Sequence, residues 1–365
     1  MTNSELLSKT ICYLRFPLIV GVVFIHSNLT RINIQGMIID YDDWSWLTYI
    51  MVFISSVFST IAVPLFFFIS GFLFFYNVDF SRAVYEKKLR SRSRTLLVPY
   101  LIWNFAGFLI LLVQLHPRFL PQFPMLKDYR IDISGFLSYF WVKNIPDYLP
   151  GEQANPINAP LWFIRDLMML SIATPLIYWL IKRLKVIFIL IMGIIWLFSL
   201  GKHSGLSGNS HQSIFFFPLG AYFSIYHINF VELANKAKWA PLLYVVFAIA
   251  DTVTFEQPYN YWLHYTGILI GLIAMIHVVS ELIRRERITT SKFLSDASFF
   301  VFALHGLFIS RYVKLLIMIF RPGLPYAILF IYFFVPVTTI MVCLGLYKLL
   351  NNYMPTVAKI VTGGR

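Results

Sequence analysis

The sequence is poor in cysteine and in charged residues, and it has no extended polar region that could form a soluble domain. Its two cysteines, Cys12 and Cys343, each lie within an apolar stretch, so the sequence predicts no disulfide framework. Charged residues make up only 13% of the chain, whereas hydrophobic residues make up 58%. This composition excludes an ordinary soluble globular protein and is typical of a protein that crosses a membrane several times.

Acidic residues are also scarce: there are 17 of them against 30 lysines and arginines, which gives a formal net charge of +13. Binding to nucleic acid would require the basic residues to gather on one solvated face, but here they alternate with apolar stretches. We therefore expect no nucleic-acid partner. The sequence also has no cluster of ligating residues with metal-site spacing and no glycine-rich phosphate loop, so we expect neither a metal ion nor a tightly bound cofactor.

Ten apolar stretches are long enough, or nearly so, to cross the hydrocarbon core of a bilayer, which takes about 20 residues. They are residues 11–29, 48–76, 95–115, 160–181, 186–201, 213–228, 239–256, 262–283, 295–320 and 325–349. The first stretch has neither a basic segment before it nor a small-residue cleavage site after it, so we interpret it as a retained helix rather than a signal peptide. The second stretch is overlong and contains Pro64, which predicts a kinked or broken helix.

The lysines and arginines orient these stretches in the membrane. With a cytosolic amino terminus, 19 of the 30 lie on inner segments, seven on outer segments and four within the stretches. Positive residues concentrate on the cytosolic side, so both termini are predicted to be cytosolic. The sequence thus predicts an all-α fold, a single membrane domain of residues 1–365 with about ten helices and a long outer loop at 116–159. That loop is interpreted either as a lid or acceptor-binding segment or as a plain connector.

Two ionisable residues share one face of the first apolar stretch. Arg15 and His26 are eleven positions apart, which places them about 20° apart around a helix and about 16 Å apart along its axis. Charge inside a membrane is costly, so such residues indicate a functional site by default. The alternative is that Arg15 extends to the lipid headgroups and that His26 is a hydrogen-bonded core residue.

Six segments carry a resemblance to a known family. They are the Arg15-x10-His26 spacing, PLFFFISGFLFF at 64–75, the basic loop leading into VPY at 98–100, PLWFIRDL at 160–167, FFPLGAYF at 216–223 and SFFVFALH at 298–305. In this order, and over nearly the whole chain, they resemble the membrane acyltransferase family 3. The resemblance implies a ten-span enzyme of the bacterial inner membrane. Such an enzyme passes an acyl group, usually acetyl, from cytosolic acyl-CoA as co-substrate to a sugar hydroxyl, commonly of an envelope polysaccharide or glycolipid.

The chemistry of acyl transfer suits a catalytic role for His26. A base must take the proton of the attacking hydroxyl, and a histidine, with an ordinary pKa of about 6.5, can do so. His26 could act as this base, or it could carry the acyl group as a covalent intermediate, and the sequence favours neither. Arg15, three turns closer to the cytosol, is predicted to bind a phosphate or a pantetheine carbonyl of the donor.

The basic run KKLRSRSR at 87–94 is the densest in the sequence and is predicted to bind the phosphates of acyl-CoA. Its candidate residues are Lys87, Lys88, Arg90, Arg92 and Arg94. The alternative is ordinary positive charge on the inner side or contact with anionic membrane lipids. The resemblance implies an Arg-x-x-Arg motif in this loop, and the sequence departs from it with Lys87-x-x-Arg90 and Arg90-x-Arg92-x-Arg94.

Four further residues are candidates for binding the acceptor. Trp162 could stack on a sugar or be an interfacial residue. Arg165 could contact an anionic acceptor or pair with a carboxylate such as Asp251. His305 matches a histidine of the family but could be a satisfied core residue. Ser70, which precedes a glycine, could line a cavity, although close helix packing is the favoured interpretation.

A second hypothesis comes from another class of protein. A proton-coupled transporter, or a flippase for a sugar-linked substrate, could use His26, Asp251 and His305 as a proton relay. Such folds usually contain repeated halves with broken helices in matching positions, and no repeat is visible here. The chain ends shortly after the last apolar stretch, so we expect the bundle itself or a separate protein to complete an acyl transfer. The sequence does not predict an oligomeric state.

Overall fold

A computed structural model describes residues 1–29, 31–34, 37–40, 45–122, 126–127, 129–131, 136–141, 155–198, 210–255, 257–320 and 325–364. The described chain is predominantly helical. Its α-helices are α1 (Asn3–His26), α2 (Ser45–Met51), α3 (Ala62–Phe75), α4 (Arg82–Arg92), α5 (Val98–Leu115), α6 (Trp162–Leu184), α7 (Val186–Leu197), α8 (Ser210–Ile225), α9 (Phe230–Lys236), α10 (Ala240–Val253), α11 (Asn260–Arg284), α12 (Lys292–His305), α13 (Ile309–Phe320), α14 (Pro325–Tyr353) and α15 (Pro355–Thr362).

A short β-hairpin departs from the predicted all-α fold class. Its strands, β1 (Arg31–Ile34) and β2 (Met37–Asp40), pair antiparallel after α1. Two strands of four residues have a weak sequence signal, because a lone hairpin is held mainly by what it packs against. The prediction of a helical bundle is correct for the rest of the described chain.

Multiple apolar helices make this a multi-pass membrane protein. Six helical segments are long and apolar enough to cross a bilayer: Asn3–His26, Trp46–Phe75, Arg82–Leu115, Ala159–Leu184, Asn260–Arg284 and Pro325–Tyr353. Two bent pairs could each form one more span, since α8 and α9 meet at a bend of 100° and α12 and α13 at a bend of 62°. The shorter apolar helices α7 and α10 match two further predicted stretches. The described chain therefore has six to eight candidate spans, against about ten predicted.

The second predicted stretch is irregular, as Pro64 predicts. It passes from α2 through a π-helical segment (Val52–Phe58) and a 3-10 turn (Ser59–Ile61) before α3 begins. Proline cannot donate a backbone hydrogen bond to the preceding turn, and its ring crowds that turn, so regular α geometry is interrupted ahead of it. The hydroxyl of Ser55 donates to the carbonyl oxygen of Phe24 at 2.8 Å and fastens the irregular segment to α1.

The chain forms two compact units. Unit 1 consists of Met1–Ile25, Val52–Arg92 and Asp166–Ser298, and unit 2 consists of His26–Met51, Ser93–Arg165 and Phe299–Arg365.

Within unit 1, helices α3 and α8 pack with their backbones almost in contact. A Cβ on Gly71 would lie 2.0 Å from the carbonyl oxygen of Phe217, and a Cβ on Gly220 would lie 1.9 Å from that of Phe68. Only glycine fits at such a crossing, which is a common way for membrane helices to associate. This confirms close packing for the segment around Ser70, and α3 runs unbroken through it.

Within unit 2, the described part of the predicted outer loop packs on α5. Leu126 and Tyr139 from the loop join Phe108 and Leu111 of α5 in a buried apolar cluster. The hydroxyl of Tyr129 donates to that of Tyr139 at 2.9 Å. Residues 123–125, 128, 132–135 and 142–154 of the predicted loop lie outside the described residues.

Candidate active site

Arg15 is half-buried on α1 within unit 1. Its Nη1 lies 3.5 Å from the hydroxyl oxygen of Ser295, which is buried near the start of α12. Among the described residues, no carboxylate lies within ion-pair distance of Arg15. The guanidinium group therefore keeps an uncompensated positive charge, as a binding residue for an anionic ligand or a carbonyl would.

In unit 2, His26 and His305 lie side by side. Their ring centroids are 5.4 Å apart and their planes are inclined by 48°. His305 is completely buried, and the ring of Phe302 flanks it at 6.1 Å. The sequence predicts both histidines as site residues, and the fold places them within reach of one reacting group.

The hydrogen bonding of His305 fixes which of its nitrogens can react. Nδ1 lies 3.1 Å from the carbonyl oxygen of Val301, one turn earlier in α12. A carbonyl only accepts, so Nδ1 carries the proton and the lone pair of the neutral ring is on Nε2. Nε2 is buried and has no hydrogen-bond partner among the described residues. One buried nitrogen of His305 therefore lacks a partner among the described residues, which favours a site residue over a satisfied core histidine.

Both imidazoles stand at helix ends that favour positive charge. His26 is the last residue of α1, and His305 is the last residue of α12. The carboxyl end of a helix carries a partial negative charge and stabilises a nearby cation by about 0.3–1 kcal/mol at exposed positions, and more when partly buried. An imidazole that gains a proton or an acyl group becomes cationic, so this placement offsets part of the cost of a charge on a buried ring.

Two asparagines that the sequence analysis missed hold the chain beside His305. Asn158 donates from Nδ2 to the carbonyl oxygen of Ala303 at 2.9 Å, and its backbone N–H donates to Oδ1 of Asn104 at 3.1 Å. Gly306 must be glycine, because a Cβ there would lie 2.5 Å from Oδ1 of Asn158. An asparagine within an apolar helix, as Asn104 is in YLIWNFAG, is the signal that could have found this network.

The basic run at 87–94 divides into two groups of side chains. Lys88 and Arg92 turn towards the interior, where Nζ of Lys88 lies 5.2 Å and Cζ of Arg92 lies 5.9 Å from the ring centroid of buried Phe74. The exposed members are Lys87, Arg90 and Arg94. The run therefore contains two oriented cations and three that are open to solvent.

The predicted acceptor residues have distinct environments. Trp162 is buried, with 7% of its surface exposed. Arg165 is 5% exposed, and its Nη1 donates to the carbonyl oxygen of Trp141 at 3.0 Å while its Cζ lies 5.8 Å from the Trp141 ring. Arg165 thus contacts Trp141, which belongs to the predicted outer loop. Ser70 is half-buried on α3, in unit 1.

The carboxylate of Asp251 has partners within unit 1, and its pairing with Arg165 stays a prediction. Asp251 is buried, its Oδ2 lies 2.8 Å from Nδ1 of His264, and its Oδ1 accepts from Nδ2 of Asn260 at 2.9 Å. Both partners follow Asp251 closely across the short connection between α10 and α11, so the carboxylate is satisfied locally.

A cleft of about 890 Å³ opens in unit 1 beside the first turns of α1, and Arg15 does not line it. Its charged side chains are Lys9, Lys236 and Arg284 with Glu5, Glu232 and Glu286. Three cations balanced by three carboxylates do not give the excess of positive charge that a polyanionic donor needs. In the described part of the chain, no three His, Cys, Asp or Glu side chains are grouped as a metal site requires.

Comparison with known proteins assigns this chain to a family. A family model described as an acyltransferase domain matches residues 9–348. The succinoglycan biosynthesis protein ExoH of Rhizobium meliloti (strain 1021) is 27% identical over 381 residues, which covers 98% of this chain and 92% of that protein. No solved structure matches the chain.

Proposed function

We propose a function from the premise that this chain belongs to acyltransferase family 3: it transfers an acetyl group from acyl-CoA to a hydroxyl group of an envelope carbohydrate or glycolipid. The chain is an acyltransferase by its family. The similar protein is named for the biosynthesis of a glycan, which supports a carbohydrate acceptor here. The transporter hypothesis is set aside, because the family is one of enzymes and the buried Asp251 is engaged elsewhere.

The observation that carries the proposal is the pair of imidazoles, 5.4 Å apart, with Nε2 of His305 open to a new partner. In the direct route, His26 takes the proton of the acceptor hydroxyl while the hydroxyl oxygen attacks the thioester carbonyl. The carbon–sulfur bond then breaks, and the CoA thiolate recovers the proton from the imidazolium. A well-placed base of this kind contributes about 10²–10⁴-fold to a rate.

In the covalent route, a nitrogen of His26 attacks the thioester and the CoA thiolate leaves, which creates an acyl-imidazolium. The acceptor hydroxyl attacks this group next and regenerates His26. Nε2 of His305 can take the hydroxyl proton in that second step, because it has the lone pair. Both routes place positive charge on His26 at the carboxyl end of α1, where the helix dipole stabilises it.

The donor side of the proposal rests on the positive residues. Arg15, which has no carboxylate partner among the described residues, binds a phosphate or carbonyl of acyl-CoA, and the basic run at 87–94 binds its phosphates. These groups meet the donor in the cytosol if both termini are cytosolic, as the distribution of lysine and arginine predicts. The same distribution supports ten crossings of a bacterial inner membrane, with the two bent pairs and the helices α7 and α10 each counting as one.

The acceptor side stays a prediction. Trp162, Arg165, Ser70 and His305 are the proposed contacts, and Arg165 supports a role for the outer loop because it holds Trp141. Membrane lipids surround the apolar helices, and either the bundle itself or a separate protein completes the final transfer.

The test is acetyl transfer from radiolabelled acetyl-CoA by the purified full chain, with membrane glycolipids as acceptor. His26→Asn removes the base and nucleophile, so we expect transfer to fall at least 100-fold. His227→Asn is the matched control, because it removes an exposed imidazole outside the site. Label that stays on the protein when acceptor is omitted would identify the covalent route, and transfer by His26→Asn at the wild-type rate would refute the proposal.

A further inference from the structure

Three basic side chains of unit 1 rest on aromatic rings. Lys88 and Arg92 share the ring of Phe74, as described above. Lys182, near the carboxyl end of α6, has its Nζ 5.7 Å from the ring centroid of Tyr178 and 5.5 Å from that of Tyr226. Lys182 is thus held between two rings, and no sequence motif indicated it.

Other basic residues of the same unit are neutralised by carboxylates instead. Lys9 pairs with Glu5 at 2.7 Å, and Arg82 pairs with Glu86 at 2.9 Å. In the ranges that the structure describes, no carboxylate forms an ion pair with Lys88, Arg92 or Lys182. A ring attracts a cation by about 0.5–1 kcal/mol at an exposed site, but it does not cancel the charge. These three side chains are therefore positioned by rings, and no described carboxylate compensates them.

A row of rings runs between the two groups of cations. The centroids of Phe74 and Phe75 are 5.1 Å apart, and those of Phe75 and Tyr178 are 6.0 Å apart. Lys88 and Arg92 thus stand at one end of a continuous row of rings, and Lys182 stands at the other. Like charges one turn apart on a helix repel each other, so Lys88 and Arg92 are destabilising unless an anion binds between them.

We propose that Lys182, at one end of this row of rings, contacts one phosphate group of acyl-CoA, and that Lys88 and Arg92, at the other end, contact another. This inference rests on the proposed function, which supplies the donor, and it adds a residue of α6 to the basic run. Acyl-CoA has a diphosphate and a separate ribose phosphate, so a donor of this kind requires cations at more than one position. The ring contacts limit the motion of Lys182 and reduce the entropy that it loses on binding.

The experiment compares two donors that differ only in their phosphates. The affinity of the full chain for acetyl-CoA is measured by calorimetry in phosphatidylcholine nanodiscs, and that for S-acetylpantetheine, which has no phosphate, is measured by competition. Lys182→Met keeps the aliphatic stem and removes the charge, so we expect acetyl-CoA to bind about tenfold more weakly and S-acetylpantetheine to bind as before. Lys182→Arg should restore most of the affinity for acetyl-CoA.

Arg183→Met is the matched control, because Arg183 is exposed, adjacent and of the same charge. We expect it to leave both affinities unchanged, which would separate a specific contact from general attraction. Equal weakening of both donors by Lys182→Met, or no weakening of either, would overturn the site. An unchanged affinity for acetyl-CoA together with loss of copurified phosphatidylglycerol would assign Lys182 to a lipid headgroup and also overturn it. If the wild-type chain binds neither donor, it is the proposed function that fails.

Discussion

The reactivity of the site depends on the two nitrogens of His305. Nδ1 is committed to the carbonyl oxygen of Val301, and Nε2 is buried beside His26 without a described partner. A second positive charge this close to a charged His26 would be repelled, so the pair can hold one proton far more readily than two. Two adjacent imidazoles therefore suit the movement of a single proton between acceptor, enzyme and leaving group.

Two substitutions of His305 can separate its nitrogens. In His305→Asn, the amide nitrogen can replace Nδ1 as the donor to Val301, but nothing replaces Nε2. We expect a folded protein whose kcat falls about 100-fold and whose KM for acetyl-CoA is unchanged. In His305→Gln, the amide can reach the Nε2 position, so a larger residual kcat would indicate a hydrogen-bonding role rather than proton transfer. Steady-state kinetics and thermal unfolding of both variants provide the measurement, and a normal kcat for His305→Asn would exclude Nε2 from the reaction.

Single residues of the site could be predicted from the sequence, but their partners could not. Arg15 and His26 follow from polar residues on one face of an apolar helix, and His305 follows from a motif. Ser295 and His305 become their neighbours only through contacts between segments that lie far apart in the chain. Asn158 was missed because its role is to bridge three backbone segments, and no local pattern marks such a residue.

Close contact between α3 and α8 determines the packing of unit 1. Gly71 and Gly220 each face a carbonyl oxygen of the opposite helix, at positions where a methyl group would overlap it. The backbones of α3 and α8 cannot move apart at this crossing without disturbing the aromatic rings that flank it. The rings of Phe68 and Phe223 are an example, with their centroids 5.5 Å apart.

Gly71→Ala is expected to destabilise this crossing by about 3 kcal/mol, because an added methyl group would force the two helices apart. Gly345→Ala on α14 is the control, since a Cβ at that position meets no atom within 4 Å. Alanine is the better helix former, so the control should be neutral or more stable by up to about 1 kcal/mol. Thermal unfolding in detergent compares the two, and equal midpoints would show that the crossing is looser than described.

At the scale of secondary-structure elements, the sequence predicts the positions of helices better than the positions of breaks and bends within them. Apolar stretches located each major helix, because burial in lipid requires them to be apolar along their length. Pro64 indicated an irregular second stretch, but not that the irregularity would extend from Val52 to Ile61. The hairpin of β1 and β2 and the bends after α8 and α12 depend on tertiary contacts, which the pattern of one segment does not contain.

The orientation of the whole molecule is a prediction from its charge and can be tested directly. Lysines and arginines concentrate on alternate connections, which predicts that Lys238 lies in the cytosol and Arg118 on the outer side. In a chain with Cys12 and Cys343 replaced, Arg118→Cys should react with a membrane-impermeant maleimide in intact cells. Lys238→Cys should react only after the cells are permeabilised, and the reverse result would invert the proposed direction of transfer.

For the molecule as a whole, composition and the order of six motifs were sufficient to identify a membrane acyltransferase, and the family match confirms it. The division into two compact units was not predicted. It depends on which helices contact each other, and ten stretches of similar hydropathy give no preference between alternative neighbours.

The position of Asn158 has a consequence for engineering a new acceptor preference. Exchange of outer loops between related enzymes is the obvious strategy, since such a loop can be replaced without altering the helices that anchor it. Here, however, the loop ends in a residue that is tied to Asn104 and to Ala303, two positions before His305. A chimera joined after Asn158 would import a foreign residue into the reaction centre, whereas a junction before Ile157 would preserve the native geometry around the imidazoles.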